Sequence, residues 1–201
     1  MANICVFCAS STTLEQRWLD LATETGRILA ERGHTLVSGG GSVGMMGAVG
    51  DGARAAGGHT LGIIAQCLVD LEVADHDSDE LLVTGDMSAR KTVMIDRSDA
   101  FITLPGGLGT LDELFEVWTT ATLDVHRKPI VLLDPDGFYD GLTRWLGGLV
   151  DRKFVRPAAM ELLLVARTVP EAVDLIDNAL AGPRDAPSGT ASGTASPAEG
   201  A

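Results

Sequence analysis

The residues best suited to chemistry lie in one short stretch, 105–113, which reads Pro-Gly-Gly-Leu-Gly-Thr-Leu-Asp-Glu. Gly106, Gly107 and Gly109 let the backbone bend sharply and bring its N–H groups close to a ligand. Where such a turn opens a helix, these N–H groups and the helix N-terminus form a site for an anion. Glu113 follows about one helical turn later and adds a carboxylate. An anion site beside a carboxylate is typical of an enzyme that acts on a phosphorylated small molecule.

The roles of Thr110 and Glu113 are open to two interpretations. Thr110 can cap the following helix or donate its hydroxyl to a phosphate. Glu113 stands three residues after Thr110, which is the spacing of a capping box, where the acid folds back onto the start of the helix. The alternative is a catalytic carboxylate held beside the anion site, and the glycine-rich turn favours it.

These residues need a strand before them and a helix after them. Apolar residues 100–104 predict a buried strand, and the amphipathic pattern predicts a helix over about 109–123. Strand and helix patterns alternate along the rest of the chain, which predicts parallel strands because each parallel pair needs a long crossover. The predicted fold is a single α/β domain over residues 1–181, a doubly wound, Rossmann-like parallel sheet.

The same periodicities predict the remaining elements. Further strands are predicted at 3–8, 35–37, 59–65, 81–84, 129–133 and 162–165. Further helices are predicted at 14–32, 87–97, 139–151 and 170–180, and one more follows the glycine-rich residues 39–47 and ends at 56. Residues 66–79 are acidic, lack any basic residue and predict a loop. Ligands of such a sheet lie outside the carboxyl ends of its strands.

A first glycine turn, residues 39–47, follows the second predicted strand. Gly39, Gly41 and Gly44 match Gly-x-Gly-x-x-Gly, which is a weak signal alone and follows the wrong strand for a dinucleotide fingerprint. The turn either binds a phosphate or sugar, with Gly41 as a candidate contact, or is a tight strand-to-helix turn that needs glycine for positive φ and close packing. Ser10, after the first strand, is a further candidate donor to a phosphate.

Arg90 and Lys91 lie on the helix that leads to the strand at 100–104. Neighbouring residues point about 100° apart on a helix, so one cation can point into the crevice and the other along its rim. Such a pair is usually a solvated helix face. Its place directly before the second glycine turn, residues 105–110, favours a part in the site.

Composition excludes several classes of function. The net charge is −13, with 15 basic and 28 acidic residues, which argues against binding a nucleic acid polymer. Apolar runs are far shorter than the roughly 20 residues that span a bilayer, so no membrane partner is predicted. Three cysteines fit the reducing cytoplasm. Residues 182–201 repeat Ser-Gly-Thr-Ala among prolines, which predicts a disordered tail.

Metal and cofactor signals are weak. Cys5 and Cys8 fall in a predicted strand, and no histidine has zinc-ligand spacing, which favours buried thiols. The chain lacks the P-loop pattern of nucleoside triphosphate hydrolases. Neither a metal nor an organic cofactor is predicted.

On these motifs the chain resembles the LONELY GUY (LOG) family of cytokinin riboside 5′-monophosphate phosphoribohydrolases, many of which carry the older label "lysine decarboxylase-like". Residues 105–113 match the family's Pro-Gly-Gly-x-Gly-Thr-x-x-Glu in full. Arg90-Lys91 matches its Arg-Lys pair, and residues 39–47 match its glycine turn. The resemblance runs over roughly residues 3–180, including the segments 126–129 and 136–139.

The resemblance implies hydrolysis of the N-glycosidic bond of an N6-modified adenosine 5′-monophosphate to free base and ribose 5-phosphate, with AMP often accepted. It also implies a homodimer and no cofactor. Arg90 and Glu113 carry over as the catalytic pair. The implied substrate contacts are Lys91, Gly107, Gly109, Thr110, Thr119 and, across a variable loop, Glu72. Residues 119–123 depart from the commoner family pattern, which leaves the base preference open.

The residues are suited to that chemistry in their own right. Breaking a ribosyl–nitrogen bond develops positive charge on the sugar, and Glu113 can stabilise that charge, hold the ribose hydroxyls or orient the attacking water. Arg90 stays protonated, which suits an electrostatic clamp better than a proton donor. The backbone N–H groups of residues 106–110 would hold the 5′-phosphate.

Two other functions are open on the same scaffold. A non-catalytic nucleotide-binding module or carrier is possible because the fold does not determine function. A decarboxylase would need a lysine that forms a Schiff base with pyridoxal phosphate. The lysines of the chain are Lys91, Lys128 and Lys153, and none has a sequence context that suggests such chemistry.

Overall fold

The structure is a computed structural model that describes residues 1–71 and 73–182. Its strands are β1 (Asn3–Phe7), β2 (Thr35–Ser38), β3 (Thr60–Ala65), β4 (Glu80–Thr84), β5 (Ala100–Thr103), β6 (Ile130–Leu133) and β7 (Leu163–Ala166). Its α-helices are α1 (Gln16–Glu31), α2 (Gly44–Ala55), α3 (Gln66–Val69), α4 (Met87–Arg97), α5 (Leu108–Thr122), α6 (Asp140–Asp151), α7 (Pro157–Glu161) and α8 (Val169–Ala181).

The seven strands form one sheet in the order β4-β3-β2-β1-β5-β6-β7, and every pairing is parallel. Strand β1 lies at the centre of the sheet. Strands β2 to β4 follow one another outward on one side of it, and β5 to β7 follow one another outward on the other side. This reversal leaves a crevice at the carboxyl ends of β1 and β5, where ligands of doubly wound sheets bind. The predicted doubly wound α/β fold is confirmed.

Alternate side chains of each strand enter separate apolar layers on the two faces of the sheet. Ile4 and Val6 of β1 pack with residues of α1, α2 and α8. Cys5 and Phe7 pack with residues of α4, α5 and α6, and the Phe7 ring stacks on Phe101 of β5 with centroids 5.7 Å apart. Burial on both faces explains why these strands are continuous apolar runs rather than alternating ones.

Short elements account for most of the differences from the predicted layout. The predicted loop at 66–79 begins with helix α3, and both α7 and a 3-10 turn (Pro135–Gly137) were absent from the prediction. Elements of three to five residues are too short to show a helical period. The predicted tail lies outside the described residues from 183 onward. Across the described part of the chain, no helix combines the length and apolar character needed to cross a membrane.

Candidate active site

The carboxyl ends of β1, β2 and β5 bring the two glycine turns to one edge of the sheet. The Met45 N–H at the start of α2 donates to the Ala9 carbonyl, 3.0 Å away, just after β1. On the other side, the Leu104 N–H donates to the Phe7 carbonyl at 2.9 Å. The segment after β1 therefore lies between the two turns.

The Arg90 side chain forms hydrogen bonds with three segments at this edge of the sheet. It is only 4% exposed, and its Nε donates to the Ile63 carbonyl of β3 at 3.0 Å. Its Nη2 donates to the Gly39 carbonyl at 3.2 Å, and its Nη1 donates to Glu113 Oε1 at 3.2 Å. A buried guanidinium held by three separate segments has little freedom to move, so Arg90 presents a fixed positive charge to the crevice.

Gly39 is a site residue that the sequence interpretation missed. A Cβ at this position would lie 1.8 Å from Arg90 Nη2, so only glycine leaves room for the guanidinium. Nothing in the Gly-x-Gly-x-x-Gly spacing indicates this role, because the contact joins residues 51 positions apart. Gly41, the predicted contact, forms an isolated bridge with Ala74.

Glu113 combines burial with a strong charge partner. Its side chain is 11% exposed, and burial raises the pKa of Glu113 to about 7, although the positive charge of Arg90 acts in the opposite direction. A carboxyl group with that pKa can hold or release a proton near neutral pH, which is the range that acid–base catalysis needs. The pair therefore has the electrostatic character of a functional site.

Lys91 is more exposed than Arg90 and contacts α5 rather than the first glycine turn. Its Nζ lies 2.8 Å from Asp112 Oδ2 and 2.6 Å from Glu116 Oε2, both on α5. The hydrogen bonds that Lys91 donates to these two carboxylates, with Asp112 the larger contribution, raise the pKa of Lys91. Lys91 thus links α4 to α5 beside the Arg90–Glu113 pair.

The second glycine turn presents an open helix N-terminus. Gly107 is the N-cap residue of α5, and the first bond within the helix runs from the Leu111 N–H to the Gly107 carbonyl. The preceding N–H groups have no partner within the helix. A Cβ at Gly107 or Gly109 would meet no atom within 4 Å, so a ligand can approach this backbone closely.

The capping alternative for Thr110 and Glu113 is wrong. Because Gly107 precedes the first helical residue, Leu108, Thr110 is the third residue of the helix and Glu113 the sixth. A capping box needs those side chains at the N-cap and third positions. Thr110 is instead buried, and its Oγ1 would lie 2.2 Å from a Cβ at Gly106, so the absent side chain of Gly106 makes space for Thr110.

Ser10 and Thr119, two further predicted substrate contacts, lie in different places relative to the Arg90–Glu113 pair. Ser10 is exposed, and its carbonyl carbon would lie 2.7 Å from a Cβ at Gly44, at the start of α2. Thr119 is exposed on α5, but six residues turn the helix about 240°, so it lies on a different face from Glu113. The structure does not bring Thr119 to the Arg90–Glu113 pair.

Glu72 lies outside the described residues, but the segment after it is well anchored. The Ser42 N–H donates to the Val73 carbonyl at 2.8 Å, and the Asp75 N–H donates to the Gly40 carbonyl at 2.9 Å. These bonds attach residues 73–75 to the first glycine turn. Within the described parts of the chain, no group of three or more His, Cys, Asp or Glu side chains could hold a metal ion.

Comparisons with known proteins fit this geometry. A family model described as "Possible lysine decarboxylase" matches residues 46–176, which include Arg90 and the second glycine turn. The cytokinin riboside 5′-monophosphate phosphoribohydrolase of Mycobacterium tuberculosis is 55% identical over 171 residues, or 85% of this chain and 91% of that protein. The chain belongs to the LOG family. An Arabidopsis thaliana LOG protein, LOG5, is 41% identical over 87% of the chain and 77% of its own length.

Solved structures outside these named LOG enzymes share the fold. The molybdenum cofactor carrier protein of Chlamydomonas reinhardtii is 26% identical, with a TM-score of 0.69 over 90% of this LOG chain and 99% of the carrier. DNA processing protein A of Streptococcus pneumoniae is 14% identical, with a TM-score of 0.56 over 87% of this chain and 61% of that protein. The second likeness concerns the fold alone.

Proposed function

We propose that this LOG-family chain hydrolyses the N-glycosidic bond of an N6-modified adenosine 5′-monophosphate, releasing the free base and ribose 5-phosphate. The observation that carries the proposal is the buried contact between Arg90 and Glu113 beside an open helix N-terminus. The proposal is supported by relatives up to 55% identical that are named for this activity. AMP is the simplest substrate of the same class.

The second glycine turn is the proposed site of the 5′-phosphate. Unpaired N–H groups at the start of α5 and the open space around Gly107 and Gly109 suit a tetrahedral anion. Ser10 and Gly41 are proposed to contribute from across the crevice. Lys91, already held by two carboxylates at the rim, adds positive charge near the phosphate.

Glu113 and Arg90 are proposed to perform the chemistry. As the ribosyl–nitrogen bond breaks, the sugar gains positive charge, and the ionised Glu113 stabilises that charge and orients the attacking water. Arg90 favours the ionised form of Glu113 and acts on the departing base through its fixed charge rather than by giving up a proton. No step of this reaction requires a metal or an organic cofactor.

Thr119 and Glu72 are proposed as contacts to the base or ribose on the resemblance alone. A homodimer is proposed on the same ground, and exposed apolar side chains near the site support it, including Leu108, which is 89% exposed. The molar mass measured by light scattering after size-exclusion chromatography tests whether the protein is a dimer. The free thiols of Cys5, Cys8 and Cys67 support the proposal that the protein works in the reducing cytoplasm.

The test of this function is a substrate panel with a phosphate-free control. The protein is incubated with isopentenyladenosine 5′-monophosphate, AMP and the two matching nucleosides, with and without a chelator, and free base is measured by chromatography. We expect base release from the nucleotides, little from the nucleosides and no effect of the chelator. If neither nucleotide yields free base, the proposal is wrong.

A second candidate is a non-catalytic nucleotide-binding module or carrier, favoured by the likeness to a protein named as a molybdenum cofactor carrier. It predicts nucleotide binding without base release, and a Glu113→Ala variant with unchanged affinity. The decarboxylase label has less support, because a Schiff-base lysine needs a lowered pKa whereas carboxylate partners raise the pKa of Lys91.

A further inference from the structure

The segment 136–139 belongs to the resemblance, but the proposed chemistry does not use it. It follows β6 and leads to Tyr139, which is the single tyrosine of the chain and is only 3% exposed. The Tyr139 hydroxyl donates to the Leu104 carbonyl at 2.8 Å. Leu104 is the residue directly before the second glycine turn, so this side chain reaches the turn from the protein interior.

The hydroxyl holds the second glycine turn where the turn begins. Leu104 directly precedes Pro105, which has no N–H of its own, so the hydrogen bond from Tyr139 anchors the backbone at the start of the bend. The Gly106 backbone N–H acts on the same hydroxyl and lowers the pKa of Tyr139, against the larger effect of burial. Burial raises the pKa of Tyr139 far above its ordinary value, and the group therefore remains a donor at any working pH.

Tyr139 is itself held firmly. Its backbone N–H donates to Asp134 Oδ1 at 2.7 Å, and Asp134, which is 1% exposed, accepts a second hydrogen bond from Arg167 on its other oxygen, Oδ2. The ring packs edge-on against Phe138, with centroids 4.8 Å apart. The hydroxyl therefore sits on a rigid support rather than on a mobile side chain.

We propose that Tyr139 is a positioning residue whose hydroxyl sets the bend of the second glycine turn so that the N–H groups of residues 107–110 converge on one phosphate. The inference rests on the proposed function, in which this turn binds the 5′-phosphate. Consecutive glycines leave the turn many conformations, and a turn fixed before binding does not lose that freedom when the phosphate arrives.

The test is a Tyr139→Phe substitution, which removes only the hydroxyl. Binding is measured by calorimetry with two probes: ribose 5-phosphate, which carries the phosphate, and adenosine, which lacks it. The loss of one such hydrogen-bonding group is expected to raise the Kd for ribose 5-phosphate about tenfold. The Kd for adenosine should stay within about twofold, because nothing in the turn contacts it.

A matched control is Thr25→Val. The Thr25 hydroxyl is also fully buried and donates to a backbone carbonyl, that of Leu21, at 2.8 Å, but it lies on α1 away from the turn. We expect Thr25→Val to lower the melting temperature by an amount similar to Tyr139→Phe and to leave both dissociation constants unchanged. Equal losses for both probes in Tyr139→Phe would indicate general loosening and would overturn the proposal.

Hydrogen exchange gives a second readout. The amides of Gly106, Gly107 and Gly109 should exchange faster in Tyr139→Phe than in the wild type, because the turn loses its anchor at Leu104, whereas Thr25→Val should leave their exchange unchanged. Equal exchange rates in Tyr139→Phe and the wild type contradict the inference. If the wild type fails to bind ribose 5-phosphate, the proposed phosphate site fails as well, whereas normal binding by Tyr139→Phe overturns the Tyr139 proposal alone.

Discussion

The two glycine turns have similar composition and lie at the same edge of the sheet, yet their glycines serve opposite purposes. In the first turn, a Cβ at Gly39 would collide with Arg90, and one at Gly41 would lie 2.7 Å from Met46. In the second turn, Gly107 and Gly109 face open space. At Gly39 and Gly41 the first turn uses glycine to admit protein side chains, whereas at Gly107 and Gly109 the second turn leaves room for a ligand. Gly106 of the second turn differs from these two, because it makes space for the Thr110 side chain.

Glycines in a loop of this kind can act on a ligand directly or through a neighbouring side chain. A glycine that faces open space leaves room for a ligand, whereas a glycine that faces a side chain controls where that side chain lies. The first turn therefore acts on the reaction through Arg90, while the second acts through the phosphate. Substitutions in the first turn should therefore lower kcat and stability, whereas substitutions in the second turn should raise KM.

The largest effect is expected at Glu113, which follows the second turn on α5 and is joined to the first turn through Arg90. Glu113→Gln keeps the shape of the side chain but removes the charge that stabilises the sugar, and we expect kcat for isopentenyladenosine 5′-monophosphate to fall about a thousandfold. The measurement is the initial rate of base release at saturating substrate, with circular dichroism to confirm folding. Asp112→Asn is the matched control, because Asp112 is the exposed neighbour that binds Lys91. A Glu113→Gln variant as active as the wild type would remove the role of Glu113.

A smaller effect is expected from Gly39→Ala in the first turn. The added methyl group must displace the Arg90 guanidinium, so we expect kcat to fall about a hundredfold and the free energy of unfolding to fall by about 1–3 kcal/mol. Rates of base release and chemical denaturation measure the two quantities.

Gly107→Ala, in the second turn, is the control for that substitution. Its φ of −97° suits alanine, and its Cβ meets no protein atom, so the free energy of unfolding should change little. The methyl group occupies space proposed for the phosphate, and KM should rise with kcat nearly unchanged. If both variants lose stability equally, or if Gly39→Ala alters only KM, the contrast between the turns is wrong.

The pH dependence of the reaction sharpens the contrast further. Burial raises the pKa of Glu113 to about 7, and only the ionised form stabilises positive charge. Activity should therefore be present above pH 7 and fall as the pH decreases through that value, to about a tenth at pH 6. Because the negative charge of Asp112 also raises the pKa of Glu113, Asp112→Asn should move the midpoint of the kcat/KM profile to lower pH. A profile that is flat from pH 6 to 8 contradicts the proposal.

Much of the site can be predicted from local sequence. The stretch 105–113 indicates the strand, turn and helix that create the anion site, and the adjacent pair Arg90 and Lys91 must point in different directions on its helix. The same local argument left the role of Thr110 open, because a capping box and a buried position inside the helix share the same spacing. The start of α5 depends on the backbone conformation of Gly107, its N-cap residue. The spacing of residues in the sequence does not determine that conformation.

The sequence by itself determined the order of strands and helices, the positions of the glycine turns and the residue types available for catalysis, because these follow from short-range periodicity and backbone freedom. Only the tertiary structure decided that Gly39 makes room for Arg90, that Glu113 is buried beside it and that Tyr139 holds the second glycine turn. These facts join residues between 23 and 51 positions apart. They depend on the strand order β2-β1-β5-β6, which brings distant strand ends together, and on the burial that the packed helices impose.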